Sequence, residues 1–184
     1  MVRLNKLYTR TGDDGSSGLG EGSRRSKADL RFAALGDIDE ANAAIGVARL
    51  SASASSDAIL ARVQNDLFDL GADVCMPDLD APGERLQIDP SRVAWLESRI
   101  DAATDMLDPL KSFILPGGSP AAAPLHLART VTRRAERSLT ALQAREALNP
   151  IALAYINRLS DLLFALARLE NDGGRADVLW VPGG

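Results

Sequence analysis

"NPIALAYINRLSDLLFALAR", residues 149–168, opens on a helix-capping residue, follows it with proline, and then spaces apolar side chains at three and four. An N-cap asparagine accepts a backbone N–H, and proline at the first helical position loses a hydrogen bond that a helix end lacks anyway. Leu153, Ile156, Ser160, Leu163 and Ala167 fall on one stripe at 3-4-3-4 spacing, which predicts a helix facing a bundle core. The same opening recurs at Asp89-Pro90 and Ser119-Pro120, predicting two more helix starts. After the first of these, Val93, Leu96, Ile100, Ala103 and Leu107 repeat the spacing.

Earlier in the chain, Ile59, Val63, Leu67, Leu70 and Val74 predict a helix over about residues 56–75. Residues 29–51 have helical periodicity crossed by Gly36 and Gly46. "MPDLDAPGERLQI" (76–88) breaks the pattern with two prolines and a glycine and reads as a loop. No segment reads as a strand. The expected fold is all-α, a bundle of about five helices (29–170) preceded by a glycine-rich segment (1–28). Residues 171–184, rich in glycine, read as a flexible tail, although VLWV (178–181) is apolar enough to dock.

Composition removes many functions. At 184 residues with 46% hydrophobic content, one domain can bury a real core. A net charge of -4 gives the whole molecule no attraction for nucleic acid or an anionic membrane, so neither is an expected partner. No apolar run reaches 18 residues and no signal peptide opens the chain, so the expected location is cytoplasmic. A single cysteine, Cys75, cannot form an internal disulfide, and its apolar context (ADVCM) reads as a buried, inert thiol. A single histidine, His126, excludes a histidine-based zinc site and a di-iron bundle with two Glu-x-x-His motifs. A Ser-His-Asp hydrolase would depend on His126, and no nucleophile elbow accompanies it.

Three stretches carry chemistry. "TRTGDDGSSGLGEGSRRSK" (9–27) combines glycines, hydroxyls and four basic residues with almost nothing apolar. It lacks the Gly-Lys-Ser/Thr of a P-loop, and GLGEG follows no strand as a dinucleotide fingerprint would. It reads either as backbone N–H groups wrapping phosphate oxygens, finished by Arg24, Arg25 and Lys27, or as a flexible arm. In "ARTVTRRAER" (128–137), Arg129 and Arg133, then Arg137, drift only about 40° per step around a helix. Such a like-charged stripe is unfavourable by itself and suggests an anionic partner; a solvated face with an Arg133–Glu136 pair is the alternative. In "LDPLKSFILPGG" (107–118), Phe113 beside glycines suits a flat ligand, or else a staple or core contact.

Together with "ALGDIDEANAAIG" (34–46) and "INRLSDLLFALAR" (156–168), these motifs resemble, in order, the PduO-type ATP:cob(I)alamin adenosyltransferases, from about Leu7 to Arg168. The resemblance implies a five-helix bundle with ferritin-like packing, assembled as a homotrimer with ATP and corrinoid at subunit interfaces. It implies transfer of the 5′-deoxyadenosyl group of ATP to cob(I)alamin, with triphosphate released. By motif position, Thr9, Arg10, Thr11, Gly12, Ser17, Gly18 and Lys27 are expected to touch nucleotide, with Arg133, Arg134, Glu136, Arg137 and Asn157. Phe113 matches the residue that displaces cobalt's lower ligand, and Asp39 the acid paired with Arg129 across a subunit interface. Asp14 stands where lysine is common in the family, which weakens a phosphate role there. Mg²⁺ is expected to be held mainly by ATP phosphates, with no dedicated protein site. A flavin reductant and an adenosylcobalamin-dependent acceptor enzyme are the expected protein partners. The alternatives are a cobalamin carrier of the same fold, or a bundle that binds ATP without turnover.

Overall fold

The computed structural model describes residues 8–77, 79 and 86–183. Five helices carry the fold: α1 (Leu30–Arg49), α2 (Ala54–Val74), α3 (Pro90–Thr104), α4 (Ala122–Gln143) and α5 (Pro150–Glu170). Going round the bundle, α1 packs between α2 and α4, and α5 between α4 and α3. Of the stripes read from sequence, Val63, Leu67, Leu70 and Val74, then Leu96 and Ala103, and Ile156, Ser160, Leu163 and Ala167 are buried, while Ile59, Val93, Ile100 and Leu153 pack half-buried against the core. Leu60, Val63, Leu67, Leu70 and Val74 of α2 are buried, as are Ala34, Ile38, Ala41, Ile45 and Ala48 of α1. A fully buried leucine such as Leu67 contributes on the order of 1.5–3 kcal/mol over an exposed one.

Helix α5 is buried on more than one stripe: Tyr155, Ile156, Leu159, Leu162, Leu163 and Leu166 all lie in the core. Its length and apolar composition alone would suit a membrane span, but more than half of the qualifying window is covered by neighbouring helices. Deep inside, Tyr155 Oη donates to Asp66 at 3.2 Å, and Arg92 of α3 closes on the same carboxylate at 2.5 Å. Gly46 lets α1 approach α2, since a Cβ there would lie 3.2 Å from Gln64 Nε2. Gln64 and Asn42 exchange side-chain to backbone hydrogen bonds across that contact, both at 3.1 Å.

Two of the three proline-marked helix starts are capped as expected. Asp89 accepts from Ser91 N at 2.7 Å and Asn149 from Ile151 N at 3.0 Å. The third is displaced: Ser119 and Pro120 form a turn, and α4 begins at Ala122. Ser119 Oγ still accepts from Ala122 N at 3.0 Å, so the serine caps the turn that leads into the helix. Leu107 lies beyond the end of α3, because the helix stops at Thr104. Most of the expected 76–88 loop falls outside the described residues.

The two ends depart further from expectation. Strands β1 (Ser16–Gly18) and β2 (Arg24–Ser26) form an antiparallel hairpin with Ser17 opposite Arg25, where no strand was expected. Three-residue strands are too short to show a period in sequence. The segment read as a flexible tail is instead fastened. Arg168 Nε donates to Asp177 at 2.8 Å with both side chains nearly buried, and Asn171 is 1% exposed. The tail then bridges Ile114 through Leu179. Cys75 is a third correction: it caps the C-terminal end of α2 and is half-buried rather than buried.

Candidate functional site

The glycine-rich segment is held by its own polar groups. Arg24 Nη2 donates to Thr11 O at 2.6 Å and to Ser16 Oγ at 2.7 Å, and Lys27 Nζ to Gly12 O at 2.8 Å. Lys27 N closes the base on Gly15 O at 2.8 Å. Arg10 takes a positive φ of 62°, a left-handed conformation that non-glycine residues seldom adopt, and its guanidinium lies 5.8 Å from the Tyr8 ring centre. Asp14 serves the turn. Its Oδ1 accepts from Ser16 N and Oγ, and those bonds hold its carboxyl below the usual range. The segment is therefore a folded loop with exposed hydroxyls and N–H groups, not a loose arm.

On α4, the expected residues divide. Arg133 is exposed, and among the described residues its guanidinium has no hydrogen bond or ion pair. Arg137 Nη1 turns back to Arg133 O at 2.9 Å. Glu136 and Asn157 are brought together across α4 and α5, with Asn157 Nδ2 donating to Glu136 Oε1 at 2.8 Å. Arg134 goes elsewhere: it pairs with Asp37 at 3.0 Å and with Glu40, both on α1, and these bonds raise its pKa. That places Arg134 as a tie between α1 and α4.

Arg129 is half-buried, its Nε has no hydrogen-bond partner among the described residues, and it stands over the Phe164 ring at 6.0 Å. Burial, with Arg133 adding to it, pushes its guanidinium pKa down. Asp39 is exposed on α1, beside an apolar groove lined by Leu35, Phe68 and Cys75. The two do not meet within one chain.

Phe113 is 78% exposed, which removes the reading of a core residue. Trp180 from the tail packs against it edge-on, ring centres 6.1 Å apart. Main-chain bonds align the two segments: Trp180 N donates to Phe113 O at 2.8 Å and Leu115 N to Val178 O at 2.7 Å. Gly118 has φ 109°, and any side chain there would collide with Asn171, whose Oδ1 accepts from Ser119 N at 2.9 Å. Leu110, Ser112, Phe113, Trp180 and Pro182 line an open recess of about 470 Å³. Sequence reasoning missed Trp180. Its one available signal was the apolar VLWV in an otherwise glycine-rich end.

Among the described residues, no hydrogen bond or ion pair joins the hairpin, the Arg133 face and the Phe113 loop to one another within a chain.

The family model for cobalamin adenosyltransferase matches residues 7–170. The chain is 50% identical, over its whole length and 96% of the relative, to a corrinoid adenosyltransferase of Mycobacterium bovis. It is 50% identical over 97% of its length and 95% of the relative to a cobalamin adenosyltransferase of Cupriavidus metallidurans. Its structure is similar to that of a phenylalanine-to-alanine variant of the PduO-type ATP:corrinoid adenosyltransferase of Lactobacillus reuteri complexed with cobalamin and ATP. That likeness has a TM-score of 0.89 and 37% identity, and covers 95% of this chain and 99% of the other.

Proposed function

The chain belongs to the cobalamin adenosyltransferase family, and on that premise we propose that it transfers the 5′-deoxyadenosyl group of ATP to cob(I)alamin. The electron pair on cobalt attacks C5′, the C5′–O bond breaks, and its electrons leave with triphosphate. The cobalt supplies the nucleophile, so a chain with one histidine and one cysteine needs no nucleophile of its own. What remains for the protein is alignment of C5′ with cobalt and stabilisation of charge on the leaving triphosphate.

The observation that carries this reading is Arg133, an exposed guanidinium that has no protein partner among the described residues, in a chain of net charge -4. Arg133 and Lys27, with the N–H groups and hydroxyls of Thr9, Thr11, Gly12, Ser17 and Gly18, take the phosphates. Arg10 and Arg137 flank them. Glu136 and Asn157, already bonded to each other, offer a polar edge to the nucleoside. Phe113 presents an apolar plane beneath the corrin and excludes the lower ligand.

Among the described residues, no group of three or more His, Cys, Asp or Glu is arranged to hold a metal. Mg²⁺ enters the proposal as an ion carried by the triphosphate, where it would neutralise phosphate charge. The reading includes a homotrimer whose interface completes the site, since among the described residues no hydrogen bond or ion pair joins its three parts within one chain. In that assembly Asp39 of one subunit answers Arg129, whose Nε has no hydrogen-bond partner among the described residues. Light scattering tests the assembly: a trimer mass is expected, with dissociation in Asp39→Ala.

Cytoplasmic location, a flavin reductant that supplies Co(I) and an acceptor enzyme for adenosylcobalamin complete the proposal. The deciding experiment is an anaerobic assay with ATP, Mg²⁺ and reduced cobalamin. Loss of the cob(I)alamin spectrum with stoichiometric triphosphate is expected. Corrinoid binding without triphosphate would mean a carrier, and ATP binding alone an interaction bundle.

A further inference from the structure

Of the three cations that end the glycine-rich segment, Arg25 faces away from it. Arg24 and Lys27 bond to the segment's own carbonyls, while Arg25 Nη1 donates to Glu146 Oε1 at 2.7 Å, 121 residues along the chain. Neighbouring side chains on a strand point to opposite faces, and Arg24 and Arg25 are neighbours in β2. Glu146 sits in the turn after α4 with its side chain 28% exposed, and divides its two oxygens between two elements. Oε2 accepts from Arg31 Nη2 at 2.7 Å, and Arg31 is wholly buried, its Nη1 donating to Val74 O at 2.6 Å. One carboxylate oxygen is thus locked to the core of α1, while the other reaches out to the hairpin.

We infer that Glu146 is a positioning residue for the nucleotide-wrapping hairpin, acting through Arg25. This rests on the reading of that hairpin as the ATP-binding segment. Arg25 stands opposite Ser17 in the β1–β2 register and two residues before Lys27, both expected nucleotide contacts. Its only other ion pair among the described residues is with Asp29, at 3.6 Å. At the far end, the hairpin's remaining tie to the bundle is made by backbone: Gly20 N donates to Cys75 O at 3.1 Å, with Leu19 buried beside it. Releasing Arg25 leaves the turn attached and frees the strand that carries Ser17's partner and leads to Lys27.

Glu146→Gln alone is ambiguous, because it also deprives the buried Arg31 of its counter-charge and lowers stability. Arg25→Gln separates the effects, since the Glu146–Arg31 pair remains. Hydrogen exchange on the protein without nucleotide should show the Lys27 amide exchanging about threefold to tenfold faster in Arg25→Gln, with the core of α1 and α5 unchanged. Calorimetry should show ATP binding weakened by about the same factor, an unchanged melting temperature, and recovery in Arg25→Lys. Arg25→Gln and Glu146→Gln combined should weaken ATP no more than either alone.

Unchanged exchange and unchanged ATP affinity in Arg25→Gln would overturn the inference. So would weaker ATP binding in Arg25→Gln with none in Glu146→Gln, which would make Arg25 a direct phosphate contact. If the wild-type protein binds no ATP, the reading of the hairpin fails, and with it the positioning role, whereas the exchange result still shows whether Glu146 holds the strand.

Discussion

The hairpin at residues 9–27 and the platform at Phe113 both lie outside the helices, yet they are built by opposite physics. The hairpin has little apolar content and is held by charged and main-chain hydrogen bonds that are mostly exposed. The platform exposes two aromatic rings and is suspended from a nearly buried ion pair, Arg168–Asp177, and a buried asparagine. Exposed polar ties are worth little one at a time, so the hairpin can adjust to a polyanion. Buried charge pairs are costly to break singly, so the platform keeps its shape. Each suits the ligand proposed for it: a flexible triphosphate on one side, a rigid macrocycle on the other.

The largest expected effect tests the platform's anchor. Asp177→Ala leaves Arg168 buried without its counter-charge and should destabilise the protein by about 3–5 kcal/mol in denaturant titrations. A loss under 1 kcal/mol would make the anchor no stronger than the hairpin's ties and erase the contrast.

Next comes Arg133→Ala, which should keep its melting temperature and lose about 30- to 1,000-fold in turnover, equivalent to about 2–4 kcal/mol of transition-state stabilisation. The loss should be the same whether the assay starts from cob(II)alamin or cob(I)alamin, because phosphate is its proposed partner in both. Wild-type kinetics from the folded variant would remove Arg133 from the phosphate site.

Phe113→Ala sharpens the same contrast from the apolar side. Starting from cob(II)alamin and a mild reductant, its rate should fall at least about tenfold further than when starting from cob(I)alamin, which has no lower ligand. ATP affinity and melting temperature should stay near wild type, since a ring 78% exposed contributes little packing. Equal losses in the two assays would deny the ring any role at cobalt's lower face.

The smallest effect lies beneath the platform. His126 is 2% exposed, and neither ring nitrogen is hydrogen-bonded among the described residues. Burial lowers its pKa, Arg129 lowers it further, and Asp177 opposes them. Below the ordinary value of about 6.5, the unfolded chain binds a proton that the native state resists, so stability falls with pH from there toward the depressed native value. His126→Leu should change stability at pH 7 by less than about 1.5 kcal/mol and flatten that decline. Thermal melts at pH 7 and 5 measure it, and an undiminished slope would assign the effect to another group.

The helices were legible because each buries a stripe whose period survives in the sequence, as with Val63 to Val74. Their caps were legible at Asp89 and Asn149 and misleading at Ser119, where a turn intervenes before the helix. What stayed hidden has no local signal. Arg25, Arg31 and Glu146 converge over 115 and 121 residues, and nothing near any of them announces the others. Arg134 looks like its neighbour Arg133 in the sequence, but one helical position is 100° of rotation, enough to aim it at Asp37 instead. The tail failed as an expectation because glycines at 173, 174 and 183 suggested slackness. The structure uses the first two at positive φ, where the chain leaves α5 and turns back toward Phe113.

That docked tail gives the protein a built-in optical probe. Of its two tryptophans, Trp95 on α3 is covered by the Arg62 guanidinium at 4.0 Å, while Trp180 touches Phe113. A corrin ring seated on Phe113 would absorb at the wavelengths where an indole emits, from a few ångströms away. Quenching of Trp180 fluorescence would then follow corrinoid arrival without a label or any turnover, and a Trp95→Phe protein would report from that face alone.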